Sequence, residues 1–415
     1  MKTIATDVDD SVQKMMRMVE LQKAKPGYAI DPYFYRSHVV YQKELSELIF
    51  RSWIYAGHVS EIPNAGDYLL FEIGEDSFII TRDAEGEVHA LMNICRHRGA
   101  RVCENATGNC KTFVCPYHGW VYNLDGSLRA AREMDVLAGF DDAVLGLKRA
   151  RVEVFMGMIY INCDLGAADF RAPLENIRQP LGAYDLEHAK IAHKETFRVE
   201  ANWKLCLENY LECYHCATSH RAYARLHTFK DPYEKVSHIV EAMLARAEEI
   251  TGVEGVVTPH RKIFADAEGF GCCVSHDRYG LYEPHQTGSE DGNAVAPLMG
   301  HMRGYDGGAG DFQMGPVTSM LNYPDHCVLY RFIPLGLTST DMQIVWFVNG
   351  DAVEGVDYDK EKLTWLWRHT TAEDEYIISR NSAGVNSQFF EPGPLHPGFE
   401  STLMSFYDWY LEALT

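Results

Sequence analysis

The sequence predicts an α+β protein in which a small antiparallel β domain precedes a larger domain of mixed helices and strands. Short β-rich runs follow one another between about residues 67 and 164, separated by turns such as Asp125-Gly126-Ser127. After the loop Gly166-Ala167-Ala168, strand-like and helical runs alternate. The length points the same way, because 415 residues are long for one hydrophobic core and suit two domains.

The individual elements follow from the spacing of apolar residues. In residues 8–24, Val12, Met15 and Val19 lie on one helix face. Further helices are predicted at 42–53, 203–220, 359–380 and 401–414. Strands are predicted at 68–73, 77–82, 88–94, 112–115, 121–124, 152–163, 195–201, 317–322, 327–334 and 342–349. Residues 286–316 are rich in glycine and polar residues and are predicted to form an irregular loop.

Charge and cysteine content limit the class of protein. Asp and Glu outnumber Lys and Arg by 59 to 38, giving a net charge of −21, which argues against nucleic acid or an anionic membrane as partner. The longest apolar stretch, 152–163, is shorter than the roughly 20 residues that cross a bilayer. With no secretory signal at the start, we expect a cytoplasmic protein whose eleven cysteines are thiols, some of them metal ligands.

Two mixed Cys/His pairs, Cys95-Arg96-His97 and Cys115-Pro116-Tyr117-His118, form the first candidate metal site. Each pair ends a strand-like run, so the two loops can approach each other like a clamp. In a Rieske centre two thiolates hold one iron of a [2Fe–2S] cluster and two imidazoles hold the other. Each loop would supply one ligand of each kind. Gly119 would let the backbone pass close to the cluster, and Trp120 would shield it.

A structural zinc site is the alternative for these four residues. Cys₂His₂ zinc sites usually pair Cys with Cys and His with His, at other spacings, so the mixed arrangement favours the iron–sulfur cluster. Cys103 and Cys110 have no neighbouring His and are predicted to be packing thiols.

The second candidate metal site lies in and beyond the predicted helix 203–220. At about 100° per residue, Glu212 and His215 share a face, whereas His215 and His220 meet at one ion only if the helix ends or bulges between them. Two histidines and a carboxylate with open positions are typical of an oxygen-activating Fe(II) centre. Asp374, on the helix 359–380, is the better third ligand because Glu212 lies too close in sequence.

The His-x₄-His pair is weak by itself, since two helical histidines are more often surface or core residues. It gains weight because a Rieske cluster needs an acceptor for its electrons. Cys213-x₂-Cys216 lacks the flanking βαβ pattern of a redox motif and is predicted to pack structurally.

Together these motifs resemble the α-subunits of Rieske non-haem iron oxygenases. The resemblance extends from about residue 30 to the C terminus, and includes the late pair Glu373-Asp374. It implies a Rieske domain at 46–165, a helix-grip (Bet v 1-like) catalytic domain at 166–415, and a helical segment at 1–45 that packs on the catalytic domain.

The resemblance also implies the role of each site residue. The cluster would be held by Cys95, His97, Cys115 and His118, and the mononuclear Fe(II) by His215, His220 and Asp374. Glu212 would connect a cluster histidine of one subunit with the iron site of its neighbour in a homotrimer. Asn209 is predicted beside it as a second catalytic residue.

One departure narrows the resemblance to a branch of the family. Many ring-hydroxylating dioxygenases carry Asp where this chain has Glu212. Glutamate there, with Trp365-x₄-Thr370, Asn381-x₂-Gly384 and Pro392-Gly393-Pro394, is more similar to the branch that oxidises quaternary ammonium compounds: glycine betaine, carnitine and proline betaine. Ser382 departs from that branch, which often has Gln at this position.

The expected function is that of a terminal oxygenase with O₂ as co-substrate and a small organic substrate. Electrons would come from an NAD(P)H-dependent reductase or a ferredoxin, because the chain has no nicotinamide fingerprint of its own. Oxidative N-demethylation of a betaine-like compound is favoured, with ring hydroxylation or dihydroxylation of an aromatic acid as the alternative. A pure electron carrier would leave the second iron motif unexplained. Tyr210, Tyr305, Tyr323 and Phe332 could reach the pocket, but core or loop packing is the favoured explanation for each of them.

Overall fold

The structure, a computed structural model, describes residues 10–261, 264 and 273–415. Residues 8 and 9 of the first predicted helix, and the opening residues of the predicted N-terminal segment, lie outside this range. The chain forms two compact units: Phe50–Ala168, and the described residues up to Ile49 together with those from Asp169 onward. No helix in the described ranges is both long enough and apolar enough to cross a membrane.

The N-terminal segment is helical and is joined by a buried ion pair to the part of the same unit that follows Asp169. Its helices are α1 (Val12–Lys23), α2 (Tyr33–Arg36) and α3 (His38–Lys43), followed by a π-helical turn at Glu44–Ile49. The helix predicted at 42–53 begins earlier, because the Ser37 side chain caps the amide of Val40. It also ends earlier, at Ile49. Glu44 in the π turn is fully buried and pairs with the ammonium of Lys204.

The unit Phe50–Ala168 is built from antiparallel strands. They are β1 (Ile54–His58), β2 (Asp67–Ile73), β3 (Asp76–Arg82), β4 (Val88–Met92), β5 (Thr107–Asn109), β6 (Phe113–Val114), β7 (Val121–Tyr122), β8 (Leu128–Ala130), β9 (Arg149–Phe155) and β10 (Met158–Asn162). Seven form one sheet in the order β1-β10-β9-β4-β3-β2-β5, and β6-β7-β8 form a second small sheet.

The single strand predicted at 152–163 is wrong, because the chain turns back on itself in the middle of that run. Phe155 pairs with Met158, and the two residues between them, Met156 and Gly157, have φ of 49° and 77°. Two successive positive φ angles are typical of a tight hairpin turn. The pattern of apolar residues continues through the turn, so it does not reveal the reversal.

The second unit places helices against one antiparallel sheet. Its elements are α4 (Arg171–Gly182), β11 (Lys190–Val199), α5 (Trp203–Tyr210), α6 (Cys216–Ser219), α7 (Arg221–Leu226), α8 (Tyr233–Thr251), β12 (Val274–Gly280), β13 (Gly308–Met314), β14 (Thr318–Asn322), β15 (Cys327–Gly336), β16 (Ser339–Val348), α9 (Lys360–Val385) and α10 (Ser401–Ala413). The strand order is β11-β16-β15-β14-β13-β12, and the long helix α9 contacts β11 and α5. The predicted α+β class, with a small antiparallel β unit and a larger unit of mixed helices and strands, is confirmed.

The irregular loop predicted at 286–316 is wrong at its C-terminal end. Gly308–Met314 forms β13, which pairs along its length with β12 and with β14. A Cβ at Gly308 would lie 2.7 Å from the sulfur of Met243 on helix α8, so a larger residue would have to displace that side chain.

Candidate functional site

The two Cys/His loops of the β unit have the same backbone turn. The amide of Gly99 donates to the carbonyl of Cys95, and that of Gly119 donates to the carbonyl of Cys115, both at 3.0 Å. Gly99 and Gly119 have φ of +79° and +73°, which favours glycine. The sequence therefore produces two matched turns, each with a cysteine before it and a histidine within it.

The side chains of these loops separate by type. Cys95 and Cys115 are 3% and 2% exposed, whereas His97 and His118 face outward with their Nδ1 atoms 3.0 Å apart. Trp120 stacks on His97 with ring centroids 5.0 Å apart. Two buried thiols beneath two converging imidazoles fit a Rieske [2Fe–2S] cluster and leave its histidine edge accessible to an electron-transfer partner.

The two cysteines of this cluster site have different surroundings: burial affects Cys115, and a tyrosine hydroxyl lies beside Cys95. Burial raises the pKa of the Cys115 thiol, so the positive iron atoms are needed to hold it as a thiolate. The hydroxyl of Tyr122 lies 3.2 Å from Sγ of Cys95 and accepts a hydrogen bond from the amide of Arg96. A hydrogen bond to a ligating sulfur raises the reduction potential of such a cluster. Sequence reasoning missed Tyr122.

The second candidate metal site forms where the predicted helix 203–220 is interrupted. Helix α5 ends at Tyr210, the chain turns through 211–215, and the short helix α6 separates His215 from His220. This is the interruption that the five-residue spacing requires if both histidines are to reach one ion. The side chain of Asn202 caps the amide of Lys204 and sets where α5 begins.

His215, His220 and Asp374 converge on one point. The two Nε2 atoms are 3.1 Å apart, and Oδ1 of Asp374 lies 2.9 Å from Nε2 of His220 and 3.4 Å from that of His215. Oδ1 is buried, yet no hydrogen bond of acceptable geometry reaches it. Among the residues that the structure describes, this is the one group of three His, Cys, Asp or Glu side chains whose ligand atoms all lie within 4.8 Å of one another. Two histidines and a carboxylate fit a non-haem iron site.

Carboxylates hold the far sides of both imidazoles. Glu212 Oε1 lies 2.6 Å from Nδ1 of His215, and Glu373 Oε2 lies 2.9 Å from Nδ1 of His220. Such partners fix the tautomer and leave Nε2 free to bind a metal. Glu212 also accepts hydrogen bonds from the amides of Tyr214 and His215, so the turn itself orients its side chain. The role of Glu373 was missed, although its position next to Asp374 is visible in the sequence.

In this site, neighbouring charges oppose the effect of burial on the pKa values of the two histidines and of Asp374, and they outweigh it. Burial by itself would lower the pKa of His215, but Asp374 and Glu212 raise it to about 9. The pKa of His220 is raised for the same reason, by Asp374 and Glu373. Burial opposes ionisation of Asp374, yet the two histidines hold the pKa of its carboxyl below the usual value. A metal ion binding here displaces protons from the histidines.

Two further predictions concern residues beside this site. Asn209 lies with its amide nitrogen 3.3 Å from Nε2 of His215, next to the point on which the ligands converge. The expectation that the cysteines are thiols does not hold at Cys213 and Cys216, which are joined by a disulfide. The turn between α5 and α6 brings their Cα atoms to 5.0 Å, within reach of such a bond.

A cavity of about 80 Å³ opens from the second metal site into the catalytic unit. Beyond the three converging residues, its lining is Asn209, Tyr210, Glu212, Cys213, Cys216, Tyr223, Phe229, Tyr279, Asp311, Leu321, Tyr330, Trp367 and Thr370. Of the four aromatic residues considered from the sequence, Tyr210 lines this cavity, and Tyr305, Tyr323 and Phe332 are not among its lining residues. The volume admits several water molecules and therefore a small organic molecule.

The fold and the paired sites define an oxygenase component with an iron–sulfur cluster in one unit and a mononuclear metal in the other. Residues 52–141 match the family model of the Rieske [2Fe-2S] domain, and residues 186–415 match that of the ring hydroxylating alpha subunit (catalytic domain). The chain belongs to the Rieske non-haem iron oxygenases, as an oxygenase (alpha) subunit. It is an enzyme that contains a [2Fe–2S] cluster and a non-haem iron, and it uses O₂ and electrons from a separate reductase.

Named relatives include both quaternary ammonium monooxygenases and aromatic-ring dioxygenases; the anthranilate 1,2-dioxygenase large subunit of Acinetobacter baylyi is 38% identical over 189 residues, covering 43% of this chain and 39% of the relative. The chain is 33% identical over 403 residues to the glycine betaine monooxygenase oxygenase subunit of Pseudomonas aeruginosa, covering 95% of this chain and 91% of the relative. It is 34% identical over 204 residues to the carnitine monooxygenase oxygenase subunit of Escherichia coli, covering 48% and 54%. Among solved structures, the quaternary ammonium Rieske monooxygenase CntA matches with a TM-score of 0.71 at 20% identity, covering 96% and 97%.

Proposed function

We propose that this protein hydroxylates an N-methyl group of a small quaternary ammonium compound, as the oxygenase subunit of a monooxygenase. The main support for this proposal is the chemistry of the cavity beside His215, His220 and Asp374. Six of its lining residues are aromatic, and its described lining contains no Lys or Arg. Aromatic faces attract a quaternary ammonium, whereas an aromatic acid would find no cation for its carboxylate. Hydroxylation of an aromatic acid is therefore the weaker alternative.

Two of the named relatives support this choice of substrate class. One is a glycine betaine monooxygenase and the other a carnitine monooxygenase, and both names refer to compounds with a trimethylammonium group. Substrate, O₂, two electrons and two protons give an N-hydroxymethyl compound and water. The N-hydroxymethyl compound then releases formaldehyde, a proton and a tertiary amine.

Each group of site residues has a proposed part in this reaction. Cys95, Cys115, His97 and His118 hold the cluster, and His215, His220 and Asp374 hold the iron. When bound, the iron supplies activation of O₂ for insertion into a C–H bond. The aromatic lining positions the methyl group and keeps bulk water away from it.

Glu212 and Asn209 have supporting parts. Glu212 holds His215 through Nδ1 and is the residue through which we propose that a neighbouring subunit's cluster communicates with the iron site, in a homotrimer. Asn209 supplies a neutral donor beside Nε2 of His215. The electron donor is proposed to be an NAD(P)H-dependent reductase or a ferredoxin. We also propose a cytoplasmic location, where the nicotinamide pool can supply such a donor.

The test is a single turnover of the reduced, iron-loaded protein with a panel of betaines and aromatic acids. We expect formaldehyde and the demethylated amine in equal amounts from a betaine, and no product from the aromatic acids. A phenol or a cis-diol from an arene, with no formaldehyde from any betaine, would refute the proposed substrate class.

A further inference from the structure

Asp311 is a half-buried carboxylate in the substrate cavity with no assigned role. It lies on β13 and lines the cavity that contains His215, His220 and Asp374. Its side chain accepts a hydrogen bond of 3.3 Å from the hydroxyl of Tyr279, and no Lys or Arg in the described part of the chain forms an ion pair with it. A carboxylate that is partly withdrawn from water and has no cation beside it is disfavoured in its charged form.

The neighbouring carboxylate on β12 shows the ordinary solution to this problem. Asp277 is the register partner of Asp311, and it receives two hydrogen bonds, of 2.6 and 3.0 Å, from the guanidinium of Arg261. Asp277 does not line the cavity. One carboxylate of the cross-strand pair is thus neutralised by the protein itself, and the other faces the space where substrate binds.

The protonation of Asp311 is finely balanced in this position. Burial and the nearby charge of Asp277 raise its pKa to about 7, although the hydrogen bond from Tyr279 acts in the opposite direction. A positive charge brought into the cavity would shift this balance towards the carboxylate.

Aromatic rings surround the same part of the cavity. Tyr279 stacks on Phe229 with centroids 4.3 Å apart, and Tyr210 packs against Tyr330 with centroids 5.2 Å apart. All four line the cavity together with Asp311. Aromatic faces and one carboxylate without an ion-pair partner, lining a single cavity, form a site for an organic cation.

We infer that Asp311 determines specificity by pairing with the positively charged nitrogen of the substrate. This inference rests on the proposed function and deepens it, because it names the charge of the substrate nitrogen as the property that is selected. Asp311 is complementary to a permanent cation and gives a neutral molecule of the same shape no such interaction. The preference is therefore for the charge itself and not only for the shape of a trimethyl group.

The experiment compares two ligands that differ in that charge alone. Choline and 3,3-dimethylbutan-1-ol have the same shape, but the second has carbon in place of the quaternary nitrogen. Their dissociation constants are measured by calorimetry on the anaerobic holoenzyme at pH 8, for the wild type, Asp311→Asn and Asp311→Glu. Asp277→Asn is the matched control, because it removes a carboxylate from the same strand pair outside the cavity.

We expect the wild type to prefer choline and Asp311→Asn to lose at least tenfold in choline affinity, with a change of less than about twofold for the neutral alcohol. Asp311→Glu should retain part of the preference for choline. In Asp277→Asn the preference for choline should change by no more than about twofold. The melting temperature of Asp311→Asn should not fall, because an amide is easier to bury than an ionised carboxylate.

Several outcomes would overturn the inference. They are a wild type without preference for choline, equal losses for both ligands in Asp311→Asn, and a preference that survives that substitution. Formaldehyde production by the wild type from a betaine is measured in parallel. If it occurs while the choline preference of Asp311→Asn is unchanged, the proposed function stands and only the role of Asp311 fails. If no betaine yields formaldehyde, the proposed function itself fails.

Discussion

At the scale of single residues, carboxylates organise the catalytic unit. Asp374 completes the converging set, Glu212 and Glu373 hold the two imidazoles, and Asp311 lines the cavity beside them. Glu212 can be predicted from the sequence because it stands three residues before His215, and Asp374 because the late pair Glu373-Asp374 belongs to the family resemblance. Asp311 cannot, because its cavity position depends on the pairing of β13 with its neighbours.

Replacement of Glu373 by Gln tests the support of His220. The imidazole would lose its charged partner at Nδ1 and become a weaker ligand, so iron affinity should fall roughly 10- to 100-fold. Iron bound per chain after dialysis against graded chelator measures this. Glu375→Gln, on the same helix, is the control. Equal iron retention in both variants would show that Glu373 does not support the site.

The ionisation of Asp311 predicts how ligand binding depends on pH. The groups around it are Asp277 and Tyr279 on β12, Tyr210 on α5 and Tyr223 on α7. Since the carboxyl is an acid with a pKa of about 7, it is neutral below that pH and loses its attraction for a cation. Choline affinity should therefore rise with pH up to about 8 and then level off. The rise should be absent in Asp311→Asn, and a similar rise there would assign it to another group.

At the scale of elements, short interruptions of regular structure make the sites. The break between α5 and α6 lets His215 and His220 face one ion, and two glycine turns present the Cys/His pairs. The Cys/His spacing and Gly119 are visible in the sequence. The break in the helix was required by the His-x₄-His spacing, but its place was not predictable, because helix propensity continues through the segment.

Replacement of Gly119 by Ala tests the turn that carries His118. A φ of +73° costs a residue with a Cβ about 1–2 kcal/mol, so the turn should relax and hold the cluster less firmly. The expected result is a loss of visible cluster absorption and acid-labile sulfide per chain. Gly384→Ala is the control, because Gly384 lies in α9 and a Cβ there meets nothing within 4 Å. Full cluster content in both variants would contradict the proposed importance of the turn.

At the scale of the whole molecule, each compact unit holds one of the two proposed cofactor sites. The cluster site lies entirely in Phe50–Ala168, and His215, His220 and Asp374 lie in the other unit. The expected domain boundaries, 46–165 and 166–415 with a packed segment at 1–45, remain a proposal. Catalysis requires that the two centres exchange electrons, which is the part proposed for Glu212 in a homotrimer.

Replacement of Glu212 by Gln tests that part. The variant should retain both cofactors, measured as iron and sulfide per chain, because none of the proposed ligands changes. Turnover with the reductase should fall to near zero, and rapid-mixing spectroscopy should show the reduced cluster persisting in the presence of O₂ and substrate. Glu212→Asp, which keeps the carboxylate, should recover part of the rate. Normal reoxidation of the cluster in Glu212→Gln would exclude Glu212 as the link.

The sequence alone determined the α+β class, the two iron centres, their seven proposed ligands and the family, because metal ligands must be particular residue types at short, characteristic spacings. The tertiary structure decided what depends on long-range pairing. It folded residues 152–163 into a hairpin, turned the glycine-rich run 308–314 into β13, and thereby brought Asp311 into the cavity beside residues a hundred positions away. Local patterns contain no information about which strands pair, so the pocket and its charge could be found only in the folded chain.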